Sequence, residues 1–281
     1  AVTSARPPVA VPIRLRPALV LSCASVAGLA MFVWPLLVDP GPGRAHVGDA
    51  PFLFVAAIPA LIAVVLSELS SGGIDAKALA MLGVLSAAGA ALRPLSAGTA
   101  GIELVFFLLV LAGRVYGPGF GFVLGSTTLF ASALLTGGIG PWLPFQMLAA
   151  SWLGMGAGLL PRRPRGRWEI AMLAAYGMLG AYLFGFLLNL WFWPFAIGEG
   201  TEVSFVPGDA VVSNLRRFAL YTVGTSTAGW DTGRAVTNAV AIVLLGPVVL
   251  TTLRRAHRRA AFGAAVRFEP HPTPGQVSRT T

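Results

Sequence analysis

The chain has 281 residues, of which 56% belong to the hydrophobic set and only 11% are charged. A soluble domain carries roughly 25% charged residues, so this composition argues against a soluble enzyme and for a chain whose solvent is the bilayer. The formal net charge of +9 comes from nineteen arginines and one lysine set against eleven acidic residues. Most of these basic residues flank apolar runs, so they read as loop charges of a membrane protein and not as a nucleic-acid surface.

Residues 1–16 are rich in proline and arginine and are expected to form a disordered tail. The first apolar run, 17–38, is long enough to span a bilayer, with Trp34 as an interface anchor near its outer end. The sole cysteine, Cys23, lies inside it, which excludes an intrachain disulfide and reads as a buried thiol. The run is also longer than the roughly 7–15 apolar residues of a cleaved signal peptide. A turn-rich stretch (Pro40, Gly41, Pro42, Gly43) leads to a second span at 52–67, and Gly72-Gly73 leads to a third at 76–92, stopped by Arg93-Pro94. The fourth span, 101–113, is short and is followed by a tight polar break at 114–117. The fifth, 118–136, ends at Gly137-Gly138 and Gly140-Pro141, and the sixth covers 142–160. After Arg162, Arg163, Arg165 and Arg167 comes the seventh, 169–192. A long segment, 194–233, then precedes the eighth span, 234–253, and a basic tail, 254–281. Within that segment, residues 210–223 put Val211, Leu215, Phe218 and Val223 near one helical face, with Arg216 and Arg217 off it. Two readings stay open there: a short helix on the outer membrane surface, or a lid over a pocket.

Loop charges set the expected orientation. With Arg6, Arg14 and Arg16 inside, eight spans place both large arginine clusters, 162–167 and 254–259, on the cytoplasmic side together with both termini. Removing any one span would put one cluster outside. The expected location is therefore the cell membrane, crossed several times.

Small residues recur at helical spacing. The fifth span has Gly117, Gly121 and Gly125, and the sixth has Gly154 and Gly158. Such faces let helices approach closely in lipid, and packing inside the bundle is the ordinary reading. The third span carries Ala76, Ala80, Gly83, Ala87 and Ala91. Its small face is the one expected to meet a partner protein.

Catalytic chemistry is not indicated. His46, His257 and His271 all fall in loops or tails, which supports neither a triad nor an intramembrane metal site. Gly117-Pro118-Gly119-Phe120-Gly121 lacks a preceding strand and a following Lys-Ser/Thr, so it is not a nucleotide loop. No enzymatic activity and no cofactor are expected. Glu103 is the acidic residue nearest a span interior; it reads either as an ion-coupling group or, the favoured reading, as a partner of Arg93 at the same outer end. Around that end lies a polar and aromatic rim that also includes Trp191, Trp230 and Asn238. Interface aromatics are ordinarily belt anchors, but Gln146 and Asn189 sit about one turn inside their spans, where an amide needs a partner. They bond either to neighbouring helices or into a ligand cavity. The candidate substrate-binding set is Trp142, Phe145, Gln146, Asn189, Trp193 and Asp231.

Residues 76–253 carry a further pattern. The small-residue third span runs into Leu92-Arg93-Pro94; Leu111-Ala112-Gly113-Arg114-Val115-Tyr116-Gly117-Pro118-Gly119-Phe120-Gly121 follows. Then come Gly138-Ile139-Gly140-Pro141-Trp142-Leu143-Pro144-Phe145-Gln146-Met147 and Asn189-Leu190-Trp191-Phe192-Trp193-Pro194. Together these resemble the substrate-binding S component of energy-coupling factor (ECF) vitamin transporters. The resemblance implies a six-helix core, the third to eighth spans, that captures a vitamin-like molecule from outside under closing loops. It also implies a complex with a transmembrane coupling subunit and ATPase subunits, with Ala76 and Ala80, or Gly83 and Ala87, at the coupling contact. The chain departs from the pattern by two extra N-terminal helices, 17–75, and by the long outer segment. A loop that wide could cover a cobalamin-type ligand. The expected architecture is thus an all-α membrane protein of about eight transmembrane helices. A secondary transporter, or a ligand-free structural membrane protein, is the alternative.

Overall fold

The computed structural model describes residues 11, 13–37, 50–71, 75–96, 101–197 and 200–260. The expected turn at 40–43, the glycine pair at 72–73, most of the 1–16 tail and the tail beyond 260 lie outside the described residues. Among those described, every regular element is helical: α1 (Leu15–Phe32), α2 (Trp34–Leu37), α3 (Ala50–Ser70), α4 (Ala76–Ser96), α5 (Val105–Tyr116), α6 (Pro118–Thr136), α7 (Leu143–Leu159), α8 (Arg167–Ala196), α9 (Val211–Thr222) and α10 (Thr232–Ala260). A π-helical segment, Val223–Asp231, joins α9 to α10, so the backbone is helical without a break from Val211 to Ala260. By length and apolarity, α1, α4, α6, α8 and the 211–260 unit each suffice to cross a membrane. α5 has only 12 residues and α7 17. The chain is an all-α membrane protein, with a helix at each of the eight places read from the sequence.

α5 is the central post. Every residue from Val105 to Arg114 is buried, as expected of a helix that is apolar all round. Helices α4, α6, α7, α8 and α10 pack around it. The tightest crossing is α6 on α7. A Cβ added at Gly154 would run into the Gly121 carbonyl, and one added at Gly121 would run into the Gly154 carbonyl. The fifth- and sixth-span glycines therefore serve packing inside the bundle, where dispersion between close backbones replaces the hydrophobic drive that lipid does not supply. Gly154→Val should force the two helices apart and cost about 1–3 kcal/mol. A melting curve in detergent would read this, and an unchanged Tm would show that the crossing yields without strain.

α1 and α3 pair with each other and lean on α7 and α8. Phe32 meets Phe145 edge-on at 5.1 Å, and Trp152 Nε1 donates to Ser25 Oγ at 3.0 Å. α4 packs on α5 and α6 and turns Ala78, Leu82, Leu85, Ser86 and Ala90 inward, leaving Ala76, Ala80, Gly83 and Ala87 exposed among the described residues.

Several local readings need correction. The first span is interrupted after Phe32, and Trp34 is buried, donating to the Trp191 carbonyl at 3.3 Å and stacking on Phe195. It anchors the N-terminal helices to α8 and is not a belt residue. Cys23 is exposed on α1 instead of buried, because a single helix leaning on a bundle buries only one stripe. The fourth helix starts at Val105 and runs through the expected break to Tyr116; Arg114 stays helical because its charge is met inside the protein, as described below. Pro94 does not stop α4, which continues to Ser96. Most of the 194–233 segment is helix, leaving only 197–210 between α8 and α9. On α9 the inward face is Asn214, Phe218 and Thr222, whereas Val211, Leu215 and Val223 are exposed. The polar members won that face because each closes a hydrogen bond there: Asn214 binds the Val206 N–H and carbonyl at 3.1 and 2.8 Å, and Thr222 accepts from Asn189 at 2.6 Å.

Candidate functional site

The C-terminal ends of α4 and α8 and the N-terminal ends of α5, α7 and α10 meet at one end of the bundle, here the Glu103 end. Four charged side chains converge there. Glu103, just before α5, accepts from Arg93 Nε at 3.3 Å with one oxygen and from Arg234 Nε at 2.7 Å with the other. Arg234 also donates from Nη1 to Asp231 at 2.9 Å, and Ser226 Oγ donates to the second Asp231 oxygen at 2.8 Å. Arg93 Nη2 reaches Gln146 Oε1 at 3.0 Å. Asn238 donates to the Glu103 carbonyl at 2.9 Å. The side chain of Asp231 is only 2% exposed and that of Arg234 14%, so burial makes each charge depend on its partners. The guanidinium of Arg234 also lies over the rings of Phe106 and Phe184, 5.6 and 5.2 Å from their centroids, a contact favourable to a cation.

The π-helical segment is gripped on two sides. Gly101 has φ of 78° and lies so close to Trp230 that a Cβ would meet the Trp230 backbone. Gly185 of α8 leaves room for the Asp231 carboxylate, which a Cβ there would strike. Tyr182 and Thr232 share a hydrogen bond at 3.0 Å, and Thr232 Oγ1 donates to the Thr227 carbonyl at 2.6 Å. π-helical geometry is rare and often found at functional positions, and here the nine-residue segment ends at Asp231, which meets Arg234.

Residues 200–210 fold back on the C-terminal end of α8 and the start of α9. Trp193 is fully buried, donates to the Val203 carbonyl at 2.8 Å and packs edge-on against Phe205. Arg217 donates to Asp209 at 2.6 Å, and the Ala210 N–H adds a bond at 2.7 Å. These two contacts hold the Asp209 carboxyl below the usual carboxylate range.

The six sequence-selected residues are thus distributed unevenly. Gln146 and Asp231 belong to one connected network through Arg93, Glu103 and Arg234. Phe145 stacks flat on Trp191, with centroids 4.1 Å apart. Asn189 is bound to Thr222 across α8 and α9, Trp193 is closed under the loop, and Trp142 is exposed with its Nε1 donating to the Gly138 carbonyl at 3.3 Å. Arg93 and Glu103 pair, as the favoured sequence reading had it. Arg234, which links the two carboxylates, was not selected. Its signal was available: Asp231, Arg234 and Asn238 stand at helical spacing on one face, at the start of an apolar run. Several buried polar atoms in this half lack a hydrogen-bond partner among the described residues, namely Ser132 Oγ, Trp191 Nε1 and Asn238 Oδ1.

A second charged cluster sits at the opposite end. Arg114 Nε and Arg254 Nη2 both donate to Glu169 Oε1, at 2.8 and 2.7 Å, and Arg114 also reaches the Leu160 carbonyl at 2.9 Å. Among the described residues, no group of three or more histidine, cysteine or acidic side chains could hold a metal ion.

Compared with known proteins, residues 77–256 match the family model described as ECF transporter, substrate-specific component. That range takes in α4 to α10 up to four residues from its end and leaves α1 to α3 outside. No curated protein matches, and no solved structure matches.

Proposed function

The chain belongs to the family of ECF transporter substrate-specific components, and from that premise we propose that it captures a vitamin or related small molecule at the Glu103 end and delivers it to an ATP-driven importer. The observation that carries this reading is the partly buried network of Arg93, Glu103, Arg234 and Asp231, which gathers two guanidiniums and two carboxylates at one end of the bundle. Two guanidiniums and two carboxylates suit a ligand that carries both an acidic group and hydrogen-bond donors, able to exchange with the internal pairs. Gln146, bound to Arg93, and Asn238, bound to the Glu103 carbonyl, extend the same polar cluster. The loop 197–210, with Trp193 and Phe205, forms the cover; Asn189 positions α9 through Thr222. Since residues 211–231 are helical, the open stretch is narrower than a cobalamin-type ligand was expected to need, which favours a smaller ligand.

The Glu103 end faces outside in this reading, with both termini in the cytoplasm, because that arrangement keeps the arginine clusters inside. α4 supplies the coupling contact. Its exposed face carries Ala76, Ala80, Gly83 and Ala87 interspersed with Leu79 and Val84, and a Cβ added at Gly83 would meet nothing within 4 Å. A helix of the coupling subunit could approach it closely. Ala80→Trp and Ala87→Trp should each weaken co-purification with the transmembrane coupling subunit and its ATPases while leaving ligand titration unchanged. If both variants assemble like the wild type, α4 is not the coupling face.

A further inference from the structure

At the Glu169 end, a cavity of about 440 Å³ is lined by Arg114, Arg162, Arg165, Arg254 and Arg258, with Glu169 as the one carboxylate among its lining residues. Arg114 and Arg254 are engaged by Glu169. Arg162, Arg165 and Arg258 form no ion pair among the described residues. The N-terminus of α8 opens at the rim, where Gly166 is the N-cap and no side chain caps the first amides. The cavity therefore presents a strong excess of anion-binding groups at one spot.

A second cavity, about 650 Å³, adjoins the first and shares Gly166, Glu169 and Arg254 with it. It is a groove between α8 and α10, walled mainly by Ile170, Ala171, Val243, Pro247 and Leu250. Both helices are long and apolar enough to cross the membrane, and Ala171, Val243 and Pro247 are exposed on the bundle's outer surface. From Arg254 to Val243 the groove follows α10 for about 16 Å at the α-helical rise, a length suited to an extended acyl chain.

We propose that the cavity and groove together hold one anionic phospholipid, its phosphate among Arg162, Arg165 and Arg258 and one acyl chain along α8 and α10. A free oxyanion would account for the arginines but not for the apolar groove continuous with them. An acidic protein segment would meet the charges but could not follow a groove between two membrane-crossing helices without leaving its own backbone unsatisfied. Loop charges assign this end to the cytoplasmic leaflet, where anionic lipids are concentrated. The inference is independent of what is bound at the Glu103 end.

The test uses the full chain purified in detergent and native mass spectrometry during titration with phosphatidylglycerol or with phosphatidylcholine of the same acyl chains. One phosphatidylglycerol should be retained per chain, in preference to phosphatidylcholine. The double variant Arg165→Gln/Arg258→Gln should lower that retention roughly ten- to thirtyfold. Both arginines are exposed and outside the ion pairs, so the fold should persist, as a melting curve would verify. Ala171→Trp, which fills the groove, should also reduce retention, and excess inorganic phosphate should not displace the lipid. Equal retention of the two lipids, or retention untouched by the double variant, overturns the proposal. Displacement by inorganic phosphate together with no effect of Ala171→Trp would assign the cavity to a free oxyanion. Loss of coupling-subunit binding in the double variant with lipid retention unchanged would assign it to a protein partner.

Discussion

Arg234→Met is expected to abolish ligand capture and to destabilise the protein by about 3–5 kcal/mol, the cost of removing one partner from a buried ion pair. Arg234 alone touches both carboxylates of the Glu103 end, at 2.7 and 2.9 Å. Without it, among the described residues the Asp231 carboxylate keeps only its Ser226 hydroxyl, and the Glu103 carboxylate keeps only Arg93 at 3.3 Å. The π-helical segment would lose the charge that draws its last residue toward α10. Arg234→Lys should fall between the two, since an ammonium retains the charge but cannot reproduce the planar fork that serves two acids. Ligand titration together with a denaturation curve separates the effects. A folded Arg234→Met protein with wild-type affinity would make the network structural only.

At the other end, Glu169→Ala should destabilise by a similar amount, again about 3–5 kcal/mol. Glu169 is the carboxylate that both Arg114 and Arg254 reach, and the side chains of Arg114 and Glu169 are each 5% exposed. The substitution leaves Arg114 buried with only the Leu160 carbonyl as an acceptor among the described residues. Glu169→Gln should cost less, because an amide oxygen still accepts one of the two bonds. Ligand affinity at the Glu103 end should be preserved in both, since the two clusters lie at opposite ends of the bundle. A Tm equal to wild type in Glu169→Ala would mean that water or lipid already compensates Arg114.

The positions of the long helices were legible because apolar runs and arginine-rich loops are direct consequences of a bilayer solvent. Which side of each helix meets protein was not. Trp34 and Cys23 lie on one apolar run, and hydropathy is the same for a lipid-facing and a protein-facing residue; the tertiary structure buries Trp34 and exposes Cys23. Small residues were more legible: Gly121 and Gly154 bring α6 and α7 together, and Ala80 and Gly83 on α4 face outward, although their spacing looks alike in the sequence. On α9 the apolar stripe suggested the wrong inward face, because Asn214 and Thr222 close specific hydrogen bonds that an amphipathicity argument does not weigh. At the Glu103 end, Gln146 and Asp231 stand out in the sequence as polar residues beside apolar runs, whereas Arg234 sits at the start of such a run, and only the tertiary structure joins it to both carboxylates.

The most direct measurement of the central claim is mass spectrometry of small molecules released from the wild-type chain and from Arg234→Met, purified side by side from cells grown in rich medium. The account predicts one low-molecular-weight species in near-stoichiometric amount with the wild type and its loss from the folded variant. The same species at the same occupancy in both proteins would contradict the Glu103-end site, and no bound species in either would contradict the assignment of this chain as a substrate-capturing subunit.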